Sequence, residues 1–294
     1  MKKISICPVC ETTESINFLK SQNFRINNTK FDIDECVNCG MRFTTPLPSP
    51  EEMAKYYDTD NYVSHTGTKK GLVNKLFHTA RYFTLRSKFK LLTHYSKGKN
   101  HLDIGAGNGV FMEFVQNKNW KTSGVELDDS SRKAIEEKSL EVEKTIYDLE
   151  NSKTYDVITM WHVLEHIFDL KKDIAHIISK LNKDGVLIVA LPNCESYDAE
   201  KYKSFWAAYD LPIHLYHFRP TQVKQLFKEF GMEVIAQKPM LFDAFYISLM
   251  SEKYKNDNKN SLGVYFRGFY YGLISNLKAE NGSYSSQIYI IKKK

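Results

Sequence analysis

A chain of 294 residues, 42% of them hydrophobic, is long enough to bury one full core and to leave a small second module beside it. Its formal charge of +6, from 41 basic and 35 acidic residues, is too small to mark a nucleic-acid binder by itself. No apolar run approaches the ~20 residues of a spanning helix, and Met1-Lys-Lys-Ile-Ser-Ile is no signal core, so a cytoplasmic location is expected.

Cys7-Pro-Val-Cys10 and Cys36-Val-Asn-Cys39-Gly40 are CxxC knuckles separated by a polar, strand-like segment. Four thiolates can close a tetrahedron around one zinc ion, and the metal supplies folding energy that so short a module cannot obtain by burial. The spacing predicts a structural zinc ribbon over residues 1–45 with Cys7, Cys10, Cys36 and Cys39 as ligands. Disulfides are the competing use of the same thiols. Cys194 has no motif around it and reads as a small packed residue.

Pro46-Leu-Pro-Ser-Pro50 breaks regular structure, and residues 46–100 read as a linker followed by a basic helix. Between Thr66 and Asn100 stand nine Lys or Arg and no Asp or Glu, while Val73, Leu76, Phe77, Ala80 and Phe83 recur at helical spacing. Such a helix lays its apolar stripe on a sheet; contact of its basic face with an anionic membrane or a phosphate-bearing acceptor is the alternative.

His101 to Ile104 reads as a short buried strand, Gly105 to Gly109 as a glycine-rich turn, and Val110, Phe111, Phe114 and Val115 as the apolar side of a helix. The GxGxG spacing differs from the dinucleotide GxGxxG, and Asp103 just before it repels an anion. A zwitterionic ligand fits: the carboxylate can hold an ammonium while helix N–H groups hold a carboxylate. A second strand over 122–127 places Glu126, followed by Leu127, 21 residues beyond Gly105, where an acid can accept ribose hydroxyls. A third strand spans Glu141 to Ile146 and ends near Asp148-Leu149, and a fourth spans Tyr155 to Met160.

Asp-x-Gly-x-Gly-x-Gly at 103–109 resembles motif I of the class I S-adenosylmethionine-dependent methyltransferases, and the likeness runs over roughly two thirds of the chain. It implies that Asp103, Gly105, Ala106 and Gly107 hold the amino-acid end of S-adenosylmethionine and that Asp148 meets the adenine amine, with Leu149 beside the ring. Trp161 packs on the cofactor or plugs the sheet edge. After it, His162, Glu165 and His166 spell HxxEH, which on a long helix would suit an inverted zinc peptidase, but the position at a strand end among alternating strands and helices speaks against that. Leu164-Glu165-His166 resembles the stretch of small-molecule and quinone O-methyltransferases linked to a divalent cation, with His162 standing here in place of a leading acid.

A helix from Asp169 is stopped by Asn182-Lys183-Asp184-Gly185, and Gly185 to Leu191 is a fifth, fully buried strand. Glu195 to Phe218 reads as a long aromatic loop suited to binding an acceptor, with His166, His214 or His217 as candidate general bases. Pro220-Thr221 opens a further helix, 233–237 and 286–292 are the last two strands, and an aromatic insertion over 240–282 roofs the acceptor site, forms a dimer face or touches a membrane.

The expected fold is α/β, a Rossmann-like, mainly parallel seven-stranded sheet with helices on both faces and a reversed last hairpin, filling 101–294 behind the ribbon. The resemblance implies methyl transfer to a hydroxyl or carbon of a small-molecule or sugar acceptor, since aromatics rather than arginines crowd the loop after the fifth strand. A zinc-ribbon ribosomal-RNA methyltransferase or nucleic-acid-binding module and an NAD-dependent oxidoreductase are the rivals.

Overall fold

The computed structural model describes residues 6–57 and 72–294. In chain order the strands are β1 (Ser15–Gln22), β2 (Lys30–Cys36), β3 (Arg42–Thr45), β4 (Asn100–Ile104), β5 (Lys121–Val125), β6 (Glu141–Glu143), β7 (Tyr155–Trp161), β8 (Leu181–Pro192), β9 (Tyr216–His217), β10 (Met232–Pro239) and β11 (Ser286–Lys293). The helices are α1 (Pro50–Tyr57), α2 (Leu72–Tyr95), α3 (Val110–Gln116), α4 (Asp129–Glu136), α5 (Leu170–Ser179), α6 (Tyr197–Tyr202), α7 (Pro220–Glu229), α8 (Leu241–Lys255) and α9 (Leu262–Leu277).

Seven strands form one sheet in the order β10-β11-β8-β7-β4-β5-β6, with β4 parallel to both β5 and β7, and β5 parallel to β6. Its centre is apolar on both sides: Val157 and Ile158 of β7 and Val186 to Leu191 of β8 are buried, as expected of strands covered on two faces. At Gly124 on β5 a Cβ would stand 2.7 Å from the Met112 sulfur, so this glycine lets α3 close on the sheet.

Four strands form a second sheet, β1-β2-β3-β9. The ribbon is therefore joined by Tyr216 and His217, which pair with Phe43 and Arg42. The chain divides into two compact units, one of Met1–Thr59, His162–Lys171 and Ala190–Tyr289, the other of Asp60–Trp161, Lys172–Val189 and Ile290–Lys294. These units do not follow breaks at 45 and 100, because β9 ties the amino-terminal sheet to a segment far along the chain.

Three local expectations change. β6 stops at Glu143, because the Asp148 carboxylate accepts from Thr145 N (2.9 Å) and Oγ1 (2.8 Å) and closes a turn there. Asn182 to Gly185 do not end a helix; β8 already includes them. The aromatic segment 195–218 is no open loop: α6 and two single 3-10 turns carry Tyr202, Trp206 and Tyr209 into the interior. Buried Asp198 organises it, accepting from Trp206 Nε1 (2.8 Å), Ser275 Oγ (2.8 Å) and Ser285 Oγ (2.6 Å). The predicted basic helix corresponds to α2, although the side chains of Val73, Leu76, Phe77 and Ala80 lie outside the described residues.

Candidate functional site

The turn after β4 is built for close approach. Gly105, Gly107 and Gly109 have φ of 71°, 54° and 72°, the left-handed region that side chains rarely adopt. Gly105 N and Ala106 N donate to Val125 O, fixing the turn to β5, and Gly107 N donates to Glu126 Oε2 at 2.7 Å. The position of a Cβ on Gly107 has nothing within 4 Å, so an open space lies beside this glycine.

Asp103 is aimed by a hydrogen-bonded chain across three strands. Thr159 Oγ1 donates to Asp103 Oδ1 at 2.5 Å, so His101 Nε2, 2.9 Å from the same hydroxyl, is its donor. Nδ1 then holds the lone pair and accepts from Thr122 Oγ1 at 2.9 Å. Burial pushes His101 down to about 3, keeping the ring neutral as this assignment requires. Burial also pushes the Asp103 carboxyl up to about 7, against the Thr159 hydrogen bond and the charge of Lys88. Glu126 is raised by burial as well, while the Asp128 and Gly107 N–H groups oppose the rise.

Trp161 ends β7 with its buried Nε1 lacking a hydrogen-bond partner; its ring meets Phe111 edge-on, and Lys88 Nζ stands 4.2 Å from its centroid. Nothing in the sequence singled out Lys88 from the other lysines of α2. The open side of Gly107, the orphaned indole N–H and a buried carboxyl short of a full charge partner fit a cationic nucleoside-bearing ligand such as S-adenosylmethionine. Leu127 is exposed and Leu149 is buried, whereas exposed Asp148 is engaged in its own turn.

A second centre follows Trp161 in the chain. His162 has φ 58°, and Leu164–His166 form a single 3-10 turn, so HxxEH does not lie on a long helix and the peptidase geometry is absent. His162 Nε2 lies 2.9 Å from Asp243 Oδ2 on α8, and Nδ1 lies 3.4 Å from Glu165 Oε1. Burial works against charging this ring, but the hydrogen bonds and charges of Asp243 and Glu165 outweigh it and raise His162 to about 10. Burial likewise opposes ionisation of Glu165, and the hydrogen bond and charge of His162 still hold it down to about 2.

Glu165, His166 and His214 offer ligand atoms that all lie within 4.8 Å of one another. His166 Nδ1 is 3.1 Å from Ile213 O, and His214 Nδ1 is 2.8 Å from Ala208 O, contacts that place a hydrogen on each Nδ1 and a lone pair on each Nε2. Burial pushes His166 down to about 4 and lowers His214, so both rings are neutral. Beyond the 3.4 Å contact of Oε1 with His162 Nδ1, neither oxygen of buried Glu165 has a hydrogen-bond partner. The trio expected to hold a divalent cation included His162; that ring is committed to Asp243, and His214 stands in the group instead. His217 is placed elsewhere, buried in β9 with Nε2 3.1 Å from Thr44 Oγ1, in the seam between the ribbon strands.

The four ribbon cysteines converge, their sulfurs all within 4.8 Å of one another; Cys7 and Cys39 are 3.6 Å apart, and Cys10 and Cys36 are 3.5 Å apart. All five cysteines are free, so the disulfide alternative does not hold. A tetrahedron with Zn–S of about 2.3 Å sets its sulfurs about 3.8 Å apart, close to the observed spacing.

A methyltransferase-domain family matches residues 76–237, more than half of the chain. The ubiquinone biosynthesis O-methyltransferase of Coxiella burnetii is 24% identical over 201 residues, covering 63% of this chain and 82% of that protein. That of Rickettsia typhi is 19% identical over 203 residues, 62% of this chain and 80% of its own. Among solved structures, a coclaurine N-methyltransferase bound to N-methylheliamine and SAH superposes with a TM-score of 0.51 at 19% identity, over 84% of this chain and 83% of that one. The chain belongs to this methyltransferase-domain family and is an S-adenosylmethionine-dependent methyltransferase.

Proposed function

We propose that the enzyme methylates a hydroxyl oxygen of a small molecule, with Asp103, Gly105, Ala106, Gly107, Glu126 and Trp161 on the cofactor and His166 or His214 taking the acceptor proton. Leu127 and Leu149 are proposed to flank the nucleoside, and Asp148, held in its turn, is the weakest member of the set. The observation that carries the acceptor side is a pair of neutral imidazoles, each with its Nδ1–H held by a backbone carbonyl and a ring nitrogen within 4.8 Å of a carboxylate oxygen of buried Glu165. The quinone O-methyltransferase names of the relatives support oxygen over other acceptor atoms; a sugar hydroxyl and a carbon acceptor have no such support.

S-adenosylmethionine supplies an already activated methyl group on sulfonium. Asp103 meets a positive charge at the strand end, and Glu126 accepts hydroxyl hydrogens. A base of pKa about 4 suffices at His166, because a hydroxyl oxygen becomes strongly acidic as it bonds to methyl and loses its proton late. Replacing His166 or His214 by Ala is expected to lower kcat about 10²- to 10⁴-fold with cofactor affinity unchanged by calorimetry, using labelled cofactor and a catechol or quinol acceptor. Undiminished turnover in both variants removes the base assignment.

One observation favours a second reading: beyond its 3.4 Å ion pair with His162, Glu165 has no hydrogen-bond partner on either oxygen, and it shares with His166 and His214 a set of ligand atoms all within 4.8 Å of one another. A divalent cation held by Glu165, His166 and His214 would polarise the acceptor hydroxyl. Loss of activity on chelation and its return with one metal supports this reading; indifference to chelator leaves the base alone. For the ribbon, we propose one structural zinc on Cys7, Cys10, Cys36 and Cys39, supported by their sulfur spacing.

A further inference from the structure

Helix α9 carries one charged side chain, Arg267, in sixteen residues, and no acid. Its inner side is narrow. A Cβ on Gly268 would stand 2.6 Å from Leu249 Cα and one on Gly272 2.7 Å from Phe245 Cα, so α8 and α9 touch backbone to backbone. The outer side holds Leu262, Phe266, Phe269, Tyr270, Leu273 and Leu277, whose spacing puts them on one arc of the helix. Leu262 is 81% exposed, Phe266 76%, Leu277 71% and Phe269 63%. Together these side chains offer on the order of 800 Å² of surface, above the roughly 300–600 Å² of the largest apolar patch on a typical monomer.

Cations stand at both ends of the arc. Lys253 Nζ lies 5.4 Å from the Tyr265 ring at the amino-terminal end, with exposed Lys255 and Lys259 nearby in sequence, and Lys278 follows Leu277 at the other end. Of the acids in the hairpin, Asp243 is bonded to His162 and buried Glu252 to Arg267, leaving Asp257 and Glu280 exposed. A second copy pairing the same arc about a two-fold axis brings lysines toward lysines, whereas an anionic lipid surface matches both the arc and its cationic ends. No helix among the described residues is long and apolar enough to cross a membrane, so such contact lies along the surface.

We infer that the α8–α9 hairpin docks on an anionic lipid bilayer through the outer face of α9, with Phe266 and Phe269 entering the headgroup and acyl boundary. This surface is independent of the acceptor and of the base assignment. Flotation of the full chain with vesicles of equal parts phosphatidylcholine and phosphatidylglycerol is expected to carry the protein, and pure phosphatidylcholine to carry much less. The Phe266→Ser/Phe269→Ser double variant and, separately, Lys253→Glu/Lys278→Glu are each expected to reduce binding by about tenfold or more. Phe266, Phe269 and Lys278 are exposed and Lys253 is half-buried, with Phe269 stacked on Phe245, Lys253 over Tyr265 and Lys278 over Tyr197, so a small fall in unfolding midpoint is expected while cofactor affinity at the wild-type value confirms an intact fold. No binding by the wild type, or equal binding by all variants, overturns the inference. A wild-type dimer in sedimentation equilibrium that the double phenylalanine variant dissolves, without vesicle binding, assigns the face to a second copy and overturns it too.

Discussion

Asp103 and Glu165 are buried to the same degree, 2% and 1% exposed, yet one carboxyl is pushed up to about 7 and the other held down to about 2. Burial is the largest influence on both and raises both. Their neighbours make the difference. Asp103 receives a neutral hydroxyl hydrogen bond from Thr159, whereas Glu165 lies beside an imidazolium, His162, and two further imidazoles. One carboxyl is short of a cation and is suited to meet one on a ligand; the other already has its cation inside the protein.

The sharpest way to break this contrast is Asp103→Ala, which is expected to abolish cofactor binding measured by calorimetry; retained affinity would falsify the assignment of the loop. Next is His162→Gln, which leaves Glu165 buried without its imidazolium. The expected cost is about 3 kcal/mol in urea unfolding, the lower end for breaking a buried pair, since the His162 side chain is 32% exposed; a loss within the noise of a surface substitution means the pair is not an ion pair. In its pH dependence, His162 contributes stability that is full below 6.5 and disappears as pH climbs through about 10. Glu165 contributes stability that is full above 4.5 and disappears as pH falls toward about 2.

A smaller effect concerns ligand binding. If Asp103 must ionise to meet an ammonium, cofactor affinity falls as pH drops below about 7, by up to about tenfold per unit. Affinity flat from pH 5 to 8 would mean that the carboxyl is already charged. The smallest change belongs to Leu127→Ala: at 71% exposure the side chain has little packing to lose, and stability is expected to move by less than about 0.5 kcal/mol. A large loss of cofactor affinity there would sharpen the nucleoside-side proposal.

What could be read from the residues alone follows the same division. The loop from Asp103 to Gly109 is contiguous, so its glycine spacing and its acid exposed the strand, turn and helix together, and the alternating apolar runs marked all seven strands of the large sheet. The histidine centre draws on 162–166, 208–214 and 243, and no spacing rule links such distant positions. Asp243 and Lys88 therefore carry no signal in the sequence. The segment 195–218 looks like a loop in sequence because pieces of six and three residues are too short to display a helical period.

The relay from Thr122 through His101 and Thr159 to Asp103 couples carboxylate aim to strand register. Thr122 sits opposite His101 on β5, and Thr159 opposite Asp103 on β7, so a slip of one residue in either pairing would turn a relay hydroxyl to the wrong side of the sheet. Under the proposed cofactor role of Asp103, grip on the ligand and correct assembly of the sheet's middle become one cooperative property, and a molecule misthreaded there would be folded in outline yet blind to its methyl donor.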